Sequence, residues 1–303
     1  MAVCTKYTSI PSSSVTSFDL RQEDCLEGMA EITDASIDLV VTSPPYNLGI
    51  AYRRYSDRQD REGYLDWCQQ WAAQVRRILK PDGSFFLNLG ASPSNPLLPH
   101  ELVLRLRDLF VLQNTIHWIK AITIENEEGE LVSRGHFKPI SSPRYLNDCH
   151  EYVFHLTPHG KTAIDRLALG VPYADKSNIA RWGHTGGTDR RCRGNTWFIP
   201  YKTIQRRDKE RPHPATFPVE LAANCIRLHG LRDDLAMVDP FLGLGNSALA
   251  ARECEVAKFV GFEIDEEYLA ETKRRIDAPR MESGASPRER RPPARRPKTD
   301  GGL

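Results

Sequence analysis

Leu235-Ala236-Met237-Val238-Asp239-Pro240-Phe241-Leu242-Gly243-Leu244-Gly245-Asn246-Ser247-Ala248-Leu249-Ala250-Ala251 falls into three pieces. Leu235 to Val238 is a short apolar run of strand type, Asp239 to Gly245 holds a proline and two glycines, and Ala248 to Ala251 favours helix. Strand, glycine turn and helix in that order bring a backbone close to a ligand at a helix N-terminus. Such a unit belongs to an open α/β sheet. Alone, Gly243-Leu244-Gly245 leaves that ligand open between a nucleotide and a methyl donor.

Working outward, Phe259-Val260-Gly261-Phe262-Glu263 is a second apolar strand, ending in an acid about twenty residues after the glycine turn. That spacing fits a carboxylate on a ribose. Far upstream, Ile37-Asp38-Leu39-Val40-Val41 runs into Thr42-Ser43-Pro44-Pro45-Tyr46. The prolines lock φ, remove two backbone donors and push the residues before them towards extended geometry. A hydroxyl, a fixed carbonyl and an aromatic ring are thus held in one stiff loop at a strand's carboxyl end. That set suits an exocyclic amino group on a flat base: oxygens accept its N–H bonds and the ring stacks.

Ser43-Pro44-Pro45-Tyr46 resembles the catalytic loop of the DNA amino-methyltransferases, in the version most typical of N4-cytosine enzymes. Asp239-Pro240-Phe241-Leu242-Gly243-Leu244-Gly245-Asn246-Ser247 is similar to that family's loop for S-adenosylmethionine, with Asn246 where Thr is commonest. On that resemblance Glu263 holds the ribose and Ile264 packs on the adenine. Asp24-Cys25-Leu26-Glu27 resembles the element whose acid accepts the adenine amino group, although Glu23 stands where Gly is usual. Asp24 is equally a natural helix N-cap. His213-Pro214-Ala215-Thr216-Phe217-Pro218 resembles the cap over the methionine end, with Thr216 as the expected N-cap of the following helix. Catalytic loop first and glycine loop last is the circularly permuted, beta-class order, spread over roughly residues 15 to 276.

The implied fold is α/β: a Rossmann-like S-adenosylmethionine-dependent methyltransferase sheet, circularly permuted, with a smaller target-recognition region. Its expected parts are 1–121 for the catalytic-loop half, 122–200 for the variable region, 201–276 for the cofactor-binding half and 277–303 as a disordered Pro/Arg-rich tail. Target recognition is expected to centre on roughly 157–200. Tyr64 to Leu79 shows helical apolar spacing closed by Lys80-Pro81-Asp82-Gly83; its aromatics read as core. Ser84 to Gly90, Thr115 to Ile119 and His150 to Leu156 read as strands, Pro99 to Leu109 as a helix, and Asn195 to Pro200 resembles the segment returning the chain to the catalytic domain.

The net charge of +1 announces no nucleic-acid binder, but its distribution is uneven. Residues 181–212 carry nine Lys or Arg against three Asp or Glu, and Arg190, Arg191 and Arg193 are the candidate DNA contacts. Seven scattered cysteines without a Cys-x-x-Cys pair suit a reducing cytoplasm, and no histidine pair has metal-ligand spacing. No apolar run of membrane length or leader pattern is visible, so a cytoplasmic, nucleoid-associated protein is expected. Double-stranded DNA is the implied partner, with a homodimer and a cognate restriction endonuclease acting on the same site compatible with it.

The implied chemistry is direct transfer to N4 of a flipped cytosine. Hydrogen bonds from the amino group to the Ser43 hydroxyl and the Pro44 carbonyl would localise the nitrogen lone pair, and Tyr46 would stack on the base. No cysteine follows a proline, so the Pro-Cys nucleophile of C5-cytosine methyltransferases is absent. The alternatives are an N6-adenine enzyme of the same fold, a nucleotide-dependent oxidoreductase, and a non-catalytic DNA-binding protein.

Overall fold

The computed structural model describes residues 16–47, 49, 54, 58–126, 128–135, 141–181, 183, 187–200 and 216–279. In chain order its elements are β1 (Ser17–Arg21), α1 (Cys25–Ala30), β2 (Ile37–Thr42), α2 (Arg61–Ile78), β3 (Leu79–Leu89), α3 (Leu98–Arg105), β4 (Val111–Ile119), β5 (Ala121–Glu125), β6 (Leu131–Gly135), β7 (His150–Thr157), α4 (Ser177–Arg181), β8 (Thr196–Phe198), α5 (Val219–His229), β9 (Ala236–Asp239), α6 (Asn246–Glu253), β10 (Lys258–Phe262) and α7 (Glu266–Asp277).

Eight strands form one sheet in the order β1-β10-β9-β2-β3-β7-β4-β8, and β5-β6 is a separate hairpin. The pairs from β1 through β3 are parallel; β7 runs antiparallel between β3 and β4, and β8 lies parallel to β4. β2 is buried at every position, as a central parallel strand covered on both faces must be. One face packs α1, α2 and α3 through residues such as Met29, Trp71 and Leu102 on Val40, Phe85 and Phe154. The other packs α5, α6 and α7 through Leu221, Ala248 and Leu269 on Leu39, Phe86 and Val153.

Local sequence explains the helices. α2 starts where the Asp60 carboxylate accepts from Gly63 N at 2.9 Å, and it buries Tyr64, Leu65, Cys68, Trp71, Ala72, Val75 and Ile78 at helical spacing. Trp71 packs edge-on to Phe85 at 6.1 Å, which makes these aromatics core, as expected; truncating a tryptophan so buried costs about 3–5 kcal/mol. α7 starts on Asp265, which accepts from the Glu267 and Tyr268 N–H groups.

Several expectations shift. α2 ends at Ile78 as the sequence suggests, yet Lys80 to Gly83 is absorbed into β3 rather than standing as a turn. There the register jumps from Ile37↔Leu79 to Leu39↔Ser84, five steps on β3 against two on β2, so the excess residues form an irregularity. The helix expected over Pro99 to Leu109 spans Leu98–Arg105. Thr216 is not the N-cap of α5; Pro218 holds that position without a side-chain bond. From the interval 122–200, β7 and β8 join the main sheet, and Trp118 Nε1 donates to Ile199 O at 2.9 Å. The Pro/Arg-rich tail from residue 280 lies outside the described residues.

The site's place follows from chain direction. From β9 the chain crosses through α6 to β10 on one side; from β2 it crosses through α2 to β3 on the other. Right-handed crossovers in opposite directions put their helices on opposite faces. β9 and β2 are neighbours, with Val40 beside Val238, so a crevice opens at their carboxyl ends.

Candidate active site

A cleft open towards solvent fills that crevice. One side is built from the ends of β1, β9 and β10: Asp24, Cys25, Pro240, Phe241, Gly243, Asn246, Glu263 and Ile264. The other is the loop Ser43, Pro44, Pro45 and Tyr46 after β2. Residues far apart in sequence thus share one cavity, and Glu23, Arg54, Trp67, Thr216, Phe217 and Tyr268 are also part of its wall.

On the β9–β10 side the backbone does the holding. Glu263 accepts from Gly243 N at 2.8 Å and from Asp265 N at 2.9 Å. Burial pushes its carboxyl above the ordinary glutamate range, against those two N–H groups. Gly243 and Gly245 have φ of +53° and +71°, and a Cβ on Gly245 would meet Thr272 Cγ2 at 2.3 Å. Asn246 Nδ2 donates to Phe217 O at 2.5 Å, while its Oδ1 is buried without a partner among the described residues. Asp24 caps α1, accepting from Leu26 N at 2.8 Å. Burial raises the Cys25 thiol, leaving it an uncharged packing group. Ile264 is 36% exposed and forms an apolar shelf.

Three residues of the glycine-turn motif do not face the cavity. Asp239 is buried; its carboxylate accepts from Thr42 Oγ1 at 2.5 Å, from Phe241 N at 3.0 Å and from the Ser247 hydroxyl. It clamps the end of β2 to β9 and to the start of α6. Burial lifts its pKa to about 6 even so. Ser247 and Gly245 lie behind the turn with it. The motif therefore contains both cavity-facing and bracing residues, which spacing alone does not separate.

The Ser43–Tyr46 loop is held by groups from α2 and from other strands. Pro45 O accepts from Tyr64 Oη at 2.7 Å, and Asn47 bonds Gln59 through both its amide and its carbonyl. Ser43 Oγ lies 2.8 Å from Tyr46 Oη. That phenol accepts from Asn88 Nδ2 at 2.7 Å and lies 3.1 Å from Glu151 Oε2. Glu151 also accepts from Asn88 Nδ2 at 2.8 Å and from Lys120 Nζ at 3.0 Å. A Cβ at Gly90 would press on Tyr46 at 2.9 Å. Tyr46 is thus half-buried and tied at its hydroxyl, in addition to offering a ring. Asn88 and Lys120 were not singled out from the sequence, where polar residues at the ends of otherwise apolar strands were the available signal; Glu151 stood only within the strand His150 to Leu156, whose His-Glu start resembles a segment near the family's final sheet strands.

Of the remaining candidates, His213 and Pro214 lie outside the described residues. Arg190 is half-buried on Gly170 and donates to Ala168 O at 2.9 Å, which gives it a local bracing role. Arg191 is exposed and Arg193 half-exposed. Among the described residues no group of three His, Cys, Asp or Glu could hold a metal ion, and no helix is long and apolar enough to cross a membrane.

A family model described as DNA methylase matches residues 37–274, which spans both sides of the cleft. The chain belongs to this N6/N4 DNA methylase family. It is 28% identical to the type II methyltransferase M.ScaI of Streptomyces caespitosus over 263 residues, covering 84% of this chain and 80% of that one. It is 24% identical to the DNA adenine methyltransferase YhdJ of Escherichia coli K12 over 262 residues, covering 84% and 81%. Among solved structures, the PvuII DNA methyltransferase (cytosine-N4-specific) superposes with a TM-score of 0.63 at 21% identity, covering 88% of this chain and 89% of that one. The M1.HpyAVI–SAM complex superposes with a TM-score of 0.53 at 17% identity, covering 85% and 99%. This DNA methylase is an enzyme of mixed α/β fold around a mostly parallel sheet.

Proposed function

We propose that this DNA methylase transfers a methyl group from S-adenosylmethionine to the exocyclic N4 of cytosine at a specific site in double-stranded DNA. The observation that carries the reading is Ser43: the polar group at the tip of β2 is a hydroxyl, not a carboxylate, and it faces the same cavity as Glu263. The donor fits that cavity. A carboxylate already oriented by two N–H groups suits a ribose diol, an apolar shelf at Ile264 suits an adenine, and the unpartnered Asn246 Oδ1 suits an ammonium. When bound, S-adenosylmethionine supplies an activated methyl group.

Everything else falls to the chain. An amino nitrogen conjugated with a ring is a poor nucleophile, so the site localises its lone pair and aims it. Ser43 Oγ and the Pro44 carbonyl accept the two N–H bonds, and the amine proton leaves to water. Tyr46 supports the base, which must leave the duplex to reach the loop. Arg191 and Arg193 meet phosphates, within a target-recognition region centred on 157–200. His213 and Pro214 cap the methionine end. The motif order is the permuted beta class. A cognate restriction endonuclease sharing the site and a homodimer accompany this reading.

The second reading, N6 of adenine, is favoured by the similarity to YhdJ. Expression of the protein in a host lacking it, followed by hydrolysis of the DNA and mass analysis of the nucleosides, decides between them. N4-methylcytosine is expected; N6-methyladenine overturns the choice of base.

A further inference from the structure

We infer that Glu151 is a positioning residue: it fixes the hydrogen-bond polarity of Ser43, so that the loop presents an acceptor and selects an exocyclic amino group. The inference rests on the proposed methyl transfer to such a group and names the residue that sets its selectivity.

The argument is one of donors and acceptors. A hydroxyl both donates and accepts, so Ser43 alone would receive a ring carbonyl as readily as an amino group. Its polarity is set by what lies behind it. Lys120 Nζ sits 3.0 Å from Glu151 Oε1, and both side chains are largely covered, at 17% and 13% exposure. Asn88 Nδ2, at 2.8 Å from Glu151 Oε2, adds a second donor. Paired in this way, Glu151 acts as a carboxylate and only accepts. Tyr46 Oη has a donor, Asn88 Nδ2, at 2.7 Å, so one of its lone pairs is engaged. Among the described residues its single proton has Glu151 Oε2 at 3.1 Å, Asn88 O at 3.3 Å and Ser43 Oγ at 2.8 Å as acceptors. The charged acceptor wins, because charge-assisted bonds are roughly twice as strong as neutral ones.

With the phenol proton on Glu151, the 2.8 Å contact between Ser43 and Tyr46 has one consistent direction. Ser43 donates and Tyr46 accepts. The Ser43 oxygen then turns lone pairs, not its proton, to the cleft. Asn88 Nδ2 also lies 3.4 Å from Ser43 Oγ, but its two hydrogens go to the nearer Tyr46 Oη and Glu151 Oε2, so the Ser43 lone pairs stay open to the cleft. An N–H of the target base meets an acceptor; a ring carbonyl meets another oxygen. A glutamine at 151 removes the bias. Its amide can donate to Tyr46, which would reverse the relay and aim the Ser43 proton at the incoming amino group.

Glu151→Gln is nearly isosteric and provides the test, with radiolabelled S-adenosylmethionine and host genomic DNA as substrates. The expected result is a fall in kcat of about 10²-fold, the scale of one lost transition-state hydrogen bond, with donor affinity and melting temperature near those of the parent. Glu151→Asp keeps the charge and should recover part of that loss. In a Ser43→Ala background, Glu151→Gln should cost little more, since the two act as a unit. Parental kcat in Glu151→Gln overturns the inference. So does a full multiplicative loss in the double variant, which would mark Glu151 as a generic structural residue. If Glu151→Gln does not fold, Tyr46→Phe cuts the same relay and must show the same non-additivity with Ser43→Ala. Nucleoside analysis of the parental product tests the N4 reading separately: N6-methyladenine would overturn that reading and leave this one standing, because both targets are amino groups.

Discussion

On the donor side of the cleft, Glu263 is fixed by the N–H groups of Asp265, two residues away, and Gly243, twenty away. On the base side, Tyr46 is fixed by Asn88, 42 residues away, and Glu151, 105 away. The first arrangement uses backbone groups that any sequence carries, placed by two glycine conformations and a helix start. The second uses side chains from β3, β7 and the end of β4, and every member has to be the right residue. Substitutions on the donor side should therefore act through conformation or burial, whereas those on the base side should act on turnover with the fold intact.

The largest effect that could break this contrast is at Asp239. Asp239→Ala strands the Thr42 and Ser247 hydroxyls and the Phe241 N–H, at a cost of about 3–5 kcal/mol summed over the lost bonds. Urea unfolding should show a lower midpoint at an unchanged slope. Donor affinity of the folded protein should change little; if affinity collapses while stability holds, Asp239 is a ligand and not a clamp.

Ser43→Ala comes next. Turnover should fall by about 10²–10³, with donor affinity by calorimetry and melting temperature kept. Parental turnover would reduce Ser43 to a loop residue and erase the contrast. Glu263→Gln sharpens it from the opposite side. Charged hydrogen bonds contribute about 1.5–3 kcal/mol each, so losing part of two should weaken donor binding by about tenfold to a hundredfold. At saturating donor, kcat should recover, because Glu263 touches no reacting atom.

Acid gives a smaller, opposed pair of effects. Beneath the sheet, Ser84 Oγ bridges His229 Nδ1 at 2.9 Å and His155 Nε2 at 3.0 Å. Burial pushes these histidines down to about 4 and about 3. Depressed histidines contribute stability that is present above their unfolded value, near 6.5, and lost as pH falls through the folded values. Asp239, raised to about 6, acts in reverse: its folded form binds a proton more readily, so its contribution grows as pH falls from 6 towards 3.8. Glu263, also raised by burial, acts with Asp239, but the histidines at about 4 and about 3 lie further from their ordinary 6.5 than Asp239 at about 6 lies from 3.8, so the thermal midpoint should drop between pH 6.5 and 4. A flat profile there would mean that the histidine pair is not buried neutral. The smallest effect is at the surface: Arg191→Ala should lower the slope of log affinity against log salt by about 0.9, and Arg190→Ala should not, since Arg190 is spent on Ala168 O.

The two loops, their order and the cavity side of Ser43 and Glu263 are legible in local sequence. Each depends on what happens within a few residues. Prolines fix φ after β2, glycines permit φ of +53° and +71° after β9, and the acid at the end of β10 follows from strand spacing. The rest depends on how the strands are arranged. β7 runs antiparallel between β3 and β4, which sets Glu151 beside Asn88 and Lys120. Likewise, Thr42 reaches Asp239 across 197 residues and ties the end of β2 to the end of β9. Arg190 folds onto Gly170 while Arg191 stays out. Local preferences are written in neighbouring residues, but a side-chain contact depends on which strands the sheet places side by side and in which direction, and no short stretch of chain carries that information.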